Sequence, residues 1–230
     1  MDNNIITIDG PAGSGKSTIA KLLAKELKLK YIDTGAMYRA ATLLAIENGI
    51  DLNDEVNIVK LLEGVDLQLD NSVADEFKYT SVTIDGRDVT EDIRSKQVGG
   101  AVSIVSKLSA VRRYLVKLQR ETASRGQAVL EGRDTGSVVF PQASLKIFLT
   151  ASLEERIKRR LLQISKKGEK ADKYHIEKEI RSRDNIDSNR KDSPLMVPEG
   201  GITMDTTGMS IREVVDNIKQ LYRERVNVKN

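Results

Sequence analysis

Residues 8–18 read IDGPAGSGKST, and from Gly10 to Ser17 they match G-x-x-x-x-G-K-S. That spacing is suited to hold a nucleoside triphosphate by its phosphates. The backbone N–H groups of Gly10, Ala12, Gly13, Ser14, Gly15, Lys16 and Ser17 turn into one concavity around Pro11, with Thr18 completing the stretch. The concavity meets the positive end of the helix that follows. Lys16 is placed to reach the β- and γ-phosphates, and Ser17 to set its hydroxyl on Mg²⁺. Such a loop does not say what the nucleotide is held for, since it serves motor ATPases, switch GTPases and small-molecule kinases alike.

The elements that must position this loop come from apolar periodicity. "NIITIDG" reads as a buried strand ending at Gly10, and a helix follows from Lys16 with Ile19, Leu22, Leu23 and Leu27 on one face. "YIDTG" reads as a second strand, and "AMYRAATLLAIENG" as a helix stopping at Gly49. "DEVNIVKLLEG" is a further short helix. Residues 65–90 change texture: "VDLQLD" alternates, and "EFKYTSVTIDGRDV" carries the hairpin signal Asp85-Gly86. A small antiparallel sheet is expected there. Helices return from about Glu91 to Arg125 and close at Gly126. "QAVLEG" and "LKIFLTA" suit central parallel strands. Ser152 with Glu155, and Ser210 with Glu213, fit S-x-x-E capping boxes. "GITMDTT" is a last strand, and Ile211, Val214, Val215, Ile218 and Leu221 form a core-facing stripe on the last helix. Strands alternating with helices predict an α/β fold, a parallel sheet covered on both faces.

Composition narrows the class. Of 230 residues, 39% are hydrophobic and 31% charged, which supplies a core under a charged exterior. The absence of cysteine excludes disulfides and thiolate metal sites and fits a reducing compartment. A lone histidine, His175, argues against histidine metal clusters and Ser-His-Asp chemistry. No apolar run is long enough for a membrane span, and "MDNNIITID" has no signal-peptide pattern, so a cytoplasmic protein is expected.

Charge is uneven. Residues 156–191 hold 13 Lys or Arg against six Asp or Glu, in a chain whose net charge is +3. Such a block points to a local anionic ligand. Arg156, Arg159 and Arg160 fall on one side of a helix and repel one another unless an anion joins them. A lid closing over transferring phosphates answers that requirement, and a merely solvated face is the bland alternative. Aromatic residues are only 4% of the chain, with no stacking set among the arginines, which argues against nucleic acid. "DTTG" at Asp205 imitates a GTPase switch but follows the last strand, where it reads as a strand-to-helix turn. "NRKD" at Asn189 only scrambles a guanine-reading motif.

Acceptor candidates lie where strands end, because open α/β sheets bind ligands beyond their carboxyl edges. "DTGAMYR" and "EGRDTGSVVFP" put Arg39 and Arg133 near Asp33 and Asp134. With Arg112, Arg183 and Asp187 they suggest a pocket for a molecule with an anionic end and hydrogen-bonding edges. The residues alone leave three readings open. The acceptor is a phosphate; or it is a sugar or acid hydroxyl, with Asp33 as base; or the chain is a non-catalytic nucleotide- or nucleic-acid-binding module.

The order of "IDGPAGSGKST", "DTGAMYR", "EGRDTGSVVFP", "KIFLTASLEERIKRR" and "EIRSRDNIDSNR" resembles the bacterial cytidylate kinases, within the nucleoside monophosphate kinase group, from about Ile5 to Leu221. The resemblance implies a P-loop kinase core with an antiparallel β insertion in the acceptor domain and a helical lid. Its limits would be 1–36, 126–151 and 192–230 for the core, 37–125 for the acceptor domain with its insertion at 65–90, and 152–191 for the lid. It implies transfer of the γ-phosphoryl of ATP to CMP or dCMP with Mg²⁺, by a monomer, with Lys16, Arg156, Arg159 and Arg160 stabilising charge and no general base. It further implies that Ser103, Arg112 and Asp134 read cytosine. Arg39, Arg133 and Arg190 would hold the phosphate, Arg183 and Asp187 would touch the sugar, and Thr34 would join the acceptor site. Glu131 stands where related sequences can have Asp, which puts its reach toward Mg²⁺ in question.

Overall fold

A computed structural model describes residues 4–70, 80–123, 127–166, 168 and 170–227. In chain order the elements are β1 (Ile5–Asp9), α1 (Lys16–Leu27), β2 (Lys30–Asp33), α2 (Thr34–Glu47), α3 (Glu55–Glu63), β3 (Leu67–Leu69), β4 (Val82–Ile84), β5 (Arg87–Asp88), α4 (Lys96–Val105), α5 (Ser109–Ala123), β6 (Ala128–Gly132), β7 (Leu145–Thr150), α6 (Leu153–Lys166), α7 (Lys173–Asn189), β8 (Ile202–Asp205) and α8 (Ile211–Asn227).

Five strands form one parallel sheet in the order β2-β6-β1-β7-β8. The apolar runs that predict buried strands, IITID and AVLEG, are buried at every residue. Their register sets the carboxyl ends side by side: Asp9 opposes Gly132 and Phe148, and Asp33 opposes Glu131. The loops that leave these ends therefore open onto one edge of the sheet. Leu23, Ile147, Val214 and Ile218 pack in the core between the sheet, α1 and α8.

A second apolar cluster lies between α2, α3, α4, α5 and the small sheet, with Leu44, Ile58, Val82, Val102 and Leu115 buried in it. The small sheet is antiparallel, in the order β3-β4-β5. Asp85 and Gly86 turn between β4 and β5 with φ of 51° and 77°, the paired positive values of the expected hairpin turn. The part of that insertion at residues 71–79 lies outside the described residues, as do Gly126 and Lys167. Among the described residues no helix is long and apolar enough to cross a membrane.

Two expectations need correction. The stripe on α8 begins one turn late: Ile211 is 51% exposed, whereas Val214, Val215 and Ile218 are buried. The Ser152 capping box is half formed. Glu155 N–H donates to Ser152 Oγ, but the Glu155 carboxylate accepts from Arg159 Nε at 3.0 Å, and Ser152 N–H donates to Thr207 Oγ1. A cation one turn away competes for the carboxylate that the reciprocal bond requires. At Ser210 no such competitor intervenes, and both halves of the box form with Glu213.

Helix α8 is tied to α1 by Glu26, which accepts from Arg212 Nη1 at 2.5 Å and from Lys219 Nζ. The bond from Lys219 holds the Glu26 carboxyl below its ordinary range. A depressed carboxyl stabilises the fold above its unfolded pKa, about 4.3, and ceases to do so as pH falls through the lower folded value. Urea unfolding of Glu26→Gln and the parent should therefore differ at pH 7, by about 1 kcal/mol for a partly buried pair near the surface, and converge on acidification below about pH 4. A difference independent of pH would assign the effect to packing.

Candidate active site

The donor loop runs from Gly10 to Ser17 between β1 and α1. Gly15 caps α1 with φ of 95° and offers no side chain to the first N–H groups of the helix. A left-handed residue there favours glycine, and the uncapped N–H groups suit an anion. Gly10 is pressed against the neighbouring strand, where a Cβ would stand 2.0 Å from the Leu149 carbonyl oxygen. Lys16 is buried over the loop, its Nζ donating to Pro11 O at 2.7 Å. Burial, joined by repulsion from Arg133, pushes the Lys16 ammonium well below its usual range.

The three arginines expected to form a lid over one anion, Arg156, Arg159 and Arg160, are divided among internal partners. Arg156 is buried. Its Nη1 donates to Ala12 O at 3.0 Å and pairs with Asp184 Oδ2 at 2.5 Å. Asp184 Oδ1 in turn accepts from Ala12 N–H at 3.1 Å, so both polar groups of Ala12 are gripped. Arg159 donates to Ser14 O, to Thr206 and to Glu155. Only Arg160 joins the cleft lining, beside Glu179 at 3.6 Å. A desolvated guanidinium must find acceptors, and the donor loop's outward carbonyls supply them. Asp184 was missed by the sequence reading as a site residue, although it adjoins Arg183 in a quoted motif.

Next to the loop, Ser17 Oγ donates to Glu131 Oε2 at 2.8 Å, and Tyr31 OH donates to Glu131 Oε1. Thr34 Oγ1 bonds the Glu131 carbonyl at 2.7 Å. Burial and the nearby Asp33 raise the Glu131 carboxyl, opposed by the bonds from Tyr31 and Ser17. Asp33 Oδ1 accepts from Ala36 N–H, capping α2. Among the described residues no group of three or more metal-ligating side chains occurs.

The acceptor candidates from 103 to 190 meet in the same cleft. Asp134 pairs with Arg112 Nη2 and lies 3.5 Å from Arg190 Nη2. Arg112 also donates to Ser106 O and lies 5.1 Å from the Tyr38 ring centroid. Arg133 Nε bonds Asp187 Oδ2 at 2.8 Å, and Arg190 Nη1 stands 3.6 Å from Asp187 Oδ1. Burial opposes ionisation of Asp187, but Arg133 and Arg190 outweigh it and hold the carboxyl low. Arg39, Ser103 and Arg183 line the cleft beside them. Burial, with Arg133 and Arg39 close by, lowers the Arg183 guanidinium to about 10. Buried Arg112 Nε and Arg190 Nη2 make no hydrogen bond. The cleft thus unites a phosphate-cradling loop with two carboxylates, Asp134 and Asp187, embedded among arginines.

A parallel sheet with this loop at the end of its central strand, opening onto one cation-rich cleft, defines a P-loop kinase. Residues 6–224 match the cytidylate kinase family. The chain belongs to that family. It is 47% identical over 219 residues to the cytidylate kinase of Caldanaerobacter subterraneus subsp. tengcongensis, covering 95% of this chain and 94% of that one. It is 47% identical over 227 residues to the cytidylate kinase of Geobacillus sp., covering 98% and 100%. An uncharacterized protein from Eubacterium ventriosum shares the fold at 12% identity and a TM-score of 0.52, covering 95% of this chain and 98% of that one.

The Ala12 clamp carries its own prediction. Asp184→Ala leaves Arg156 buried without its counter-charge, and breaking a buried pair costs about 3–5 kcal/mol. Asp184 is partly exposed, so a loss nearer about 2 kcal/mol is expected in urea unfolding. A loss within about 0.5 kcal/mol, the range of neutral surface changes, would show that the clamp does not stabilise the fold.

Proposed function

We infer that the chain transfers the γ-phosphoryl group of ATP to CMP or dCMP, giving ADP and CDP or dCDP. The observation that carries this reading is one cleft lined both by the donor loop and by the Arg112–Asp134 pair, with Arg39, Arg133 and Arg183 in the same lining. An acceptor phosphate has a second pKa near about 6 and is mostly dianionic at neutral pH, so it needs no general base. The task is to align two anions that repel and to neutralise charge between them.

Lys16 sits where charge develops between the β- and γ-phosphates. Arg39, Arg133 and Arg190 take the acceptor phosphate, and Arg183 and Asp187 the sugar. Ser103, Arg112 and Asp134 read the base, with Thr34 in the adjoining wall. Arg160 is the lid cation best placed to meet transferring phosphates. Arg156 and Arg159 support the loop from outside through Ala12 and Ser14. Ser17 and Glu131 offer the hard oxygen donors that suit Mg²⁺, which relies on few protein ligands beside substrate phosphates and water. When bound, that ion neutralises charge on the β- and γ-oxygens. We assign residues 1–36, 126–151 and 192–230 to a core, 37–125 to an acceptor body and 152–191 to a lid. We take the chain to act as a monomer.

A panel of acceptors with ATP and Mg²⁺ tests the reading. CMP and dCMP should yield diphosphates. Turnover of AMP or shikimate in place of CMP would overturn it, and a hydroxyl acceptor would return Asp33 as a base.

Base choice follows from hydrogen-bond polarity. Cytosine presents an amino donor at its 4-position and acceptors at N3 and O2, whereas uracil reverses the first two. The Asp134 carboxylate can accept from the amino group and repels the uracil carbonyl. Each such mismatch costs about 1–3 kcal/mol. Asp134→Asn should lower the CMP to UMP ratio of kcat/KM by about tenfold or more, chiefly through CMP. Equal losses for both nucleotides would reduce Asp134 to an anchor for Arg112 and Arg190.

A further inference from the structure

Asp9 is the last residue of β1, immediately before the donor loop, and its side chain is fully buried. Both of its carboxylate oxygens are used, and among the described residues neither bonds a cation. Oδ1 accepts from Thr135 N–H at 2.9 Å and Thr135 Oγ1 at 2.8 Å, while Oδ2 accepts from Gly136 N–H at 2.7 Å. Burial pushes the carboxyl up, against the pull of these bonds. A charge-capable group held only by neutral donors contributes little net stability in such a setting, because its desolvation offsets the bonds it makes.

What the carboxylate grips is the segment that carries the acceptor arginine and aspartate. Strand β6 ends at Gly132, in register with Asp9. The chain then passes Arg133 and Asp134 and enters a single irregular turn, Thr135–Val139, with the wide spacing of a π-helix. Turns of that kind need outside support for their backbone groups and concentrate at functional sites. Arg133 and Asp134 are therefore a two-residue span anchored at one end by the sheet register and at the other by Asp9. The turn is pressed hard against β1: a Cβ on Gly136 would lie 2.7 Å from Thr7 Oγ1 and 3.3 Å from Asp9 Oδ2.

We propose that Asp9 is a positioning residue for the acceptor site, setting the Arg133–Asp134 span against the donor loop that begins at its own neighbour, Gly10. It touches no substrate. It fixes where the base-reading carboxylate stands relative to the loop, because one residue of β1 ends in the loop and clasps the turn. The proposal rests on the CMP-kinase reading for its kinetic form and on geometry alone for its structural form.

The test uses the full chain with Asp9→Asn, Thr135→Val and Thr135→Ser. Asparagine keeps the shape of Asp9 but directs an N–H₂ at one of the turn's donors. Valine removes the Thr135 hydroxyl, and serine retains it. Steady-state kinetics should show KM for CMP raised about tenfold in Asp9→Asn, with a lowered CMP to UMP ratio and KM for ATP within about twofold. Thr135→Val should shift the same quantities by less, and Thr135→Ser should match the parent. Hydrogen exchange of the ligand-free proteins should quicken at residues 135–139 in the first two variants. A fall in kcat or stability with KM for CMP and the base ratio unmoved would overturn the proposal, and so would equal rises in KM for both nucleotides. Should Asp9→Asn fail to fold, Thr135→Val against Thr135→Ser decides by the same readings. If the parent does not phosphorylate CMP, the functional reading fails by itself. The exchange measurement then still decides the geometry: unchanged exchange at 135–139 sinks it.

Discussion

Seven cationic side chains line one cleft, Lys16 and Arg39, Arg112, Arg133, Arg160, Arg183 and Arg190, against five carboxylates. Their mutual repulsion is the constraint around which the rest is arranged. The site must attract two polyanions, yet the chain must fold around the same charges. The structure interleaves a few carboxylates among the arginines: Asp134 between Arg112 and Arg190, Asp187 between Arg133 and Arg190. Each carboxylate relieves repulsion and leaves an excess of positive charge for phosphate. Burial first, and the neighbouring arginines after it, lower the Arg183 guanidinium and the Lys16 ammonium.

Backbone geometry turns that charge into a site. Parallel register brings the ends of β1, β2 and β6 together, with Asp33 opposite Glu131 and Asp9 one residue further on, opposite Gly132. From each end the chain departs into a segment with a different task. The donor loop leaves β1, the Asp33 cap starts the helix that carries Arg39, and the span with Arg133 and Asp134 leaves β6. Helix α7 reaches across from the other side with Arg183 and Asp187, and through Asp184 it also holds Ala12 of the donor loop. One helix therefore contacts both halves of the cleft.

Some of this was legible in the residues. The donor loop, the alternation of strands and helices, the Asp85-Gly86 hairpin and the Ser210 cap depend on neighbours in sequence, and all are found as expected. The quoted motifs around Arg39, Arg133, Asp134 and Asp187 were legible as a family likeness, and the cleft gathers them. Less legible were pairings set by spatial competition. Ser152 and Glu155 form only half a box because Arg159 takes the carboxylate. Arg156 and Arg159, read as companions of Arg160 over the phosphates, are drawn to loop carbonyls instead.

Sequence alone determined that a nucleotide is held by its phosphates, because a phosphate loop needs glycines, a lysine and a hydroxyl at fixed spacing within one short run. It determined the α/β plan as well, since burial on both faces of a central strand leaves an apolar run in the chain. Only the tertiary structure decided which cation lines the cleft and which bonds the outside of the loop; Ala12 and Asp184, joined there, are 172 residues apart. It also decided the place of Asp9, whose partners at Thr135 and Gly136 come from a turn 126 and 127 residues away. No local pattern marks a buried carboxylate whose donors arrive from a turn so distant in the chain.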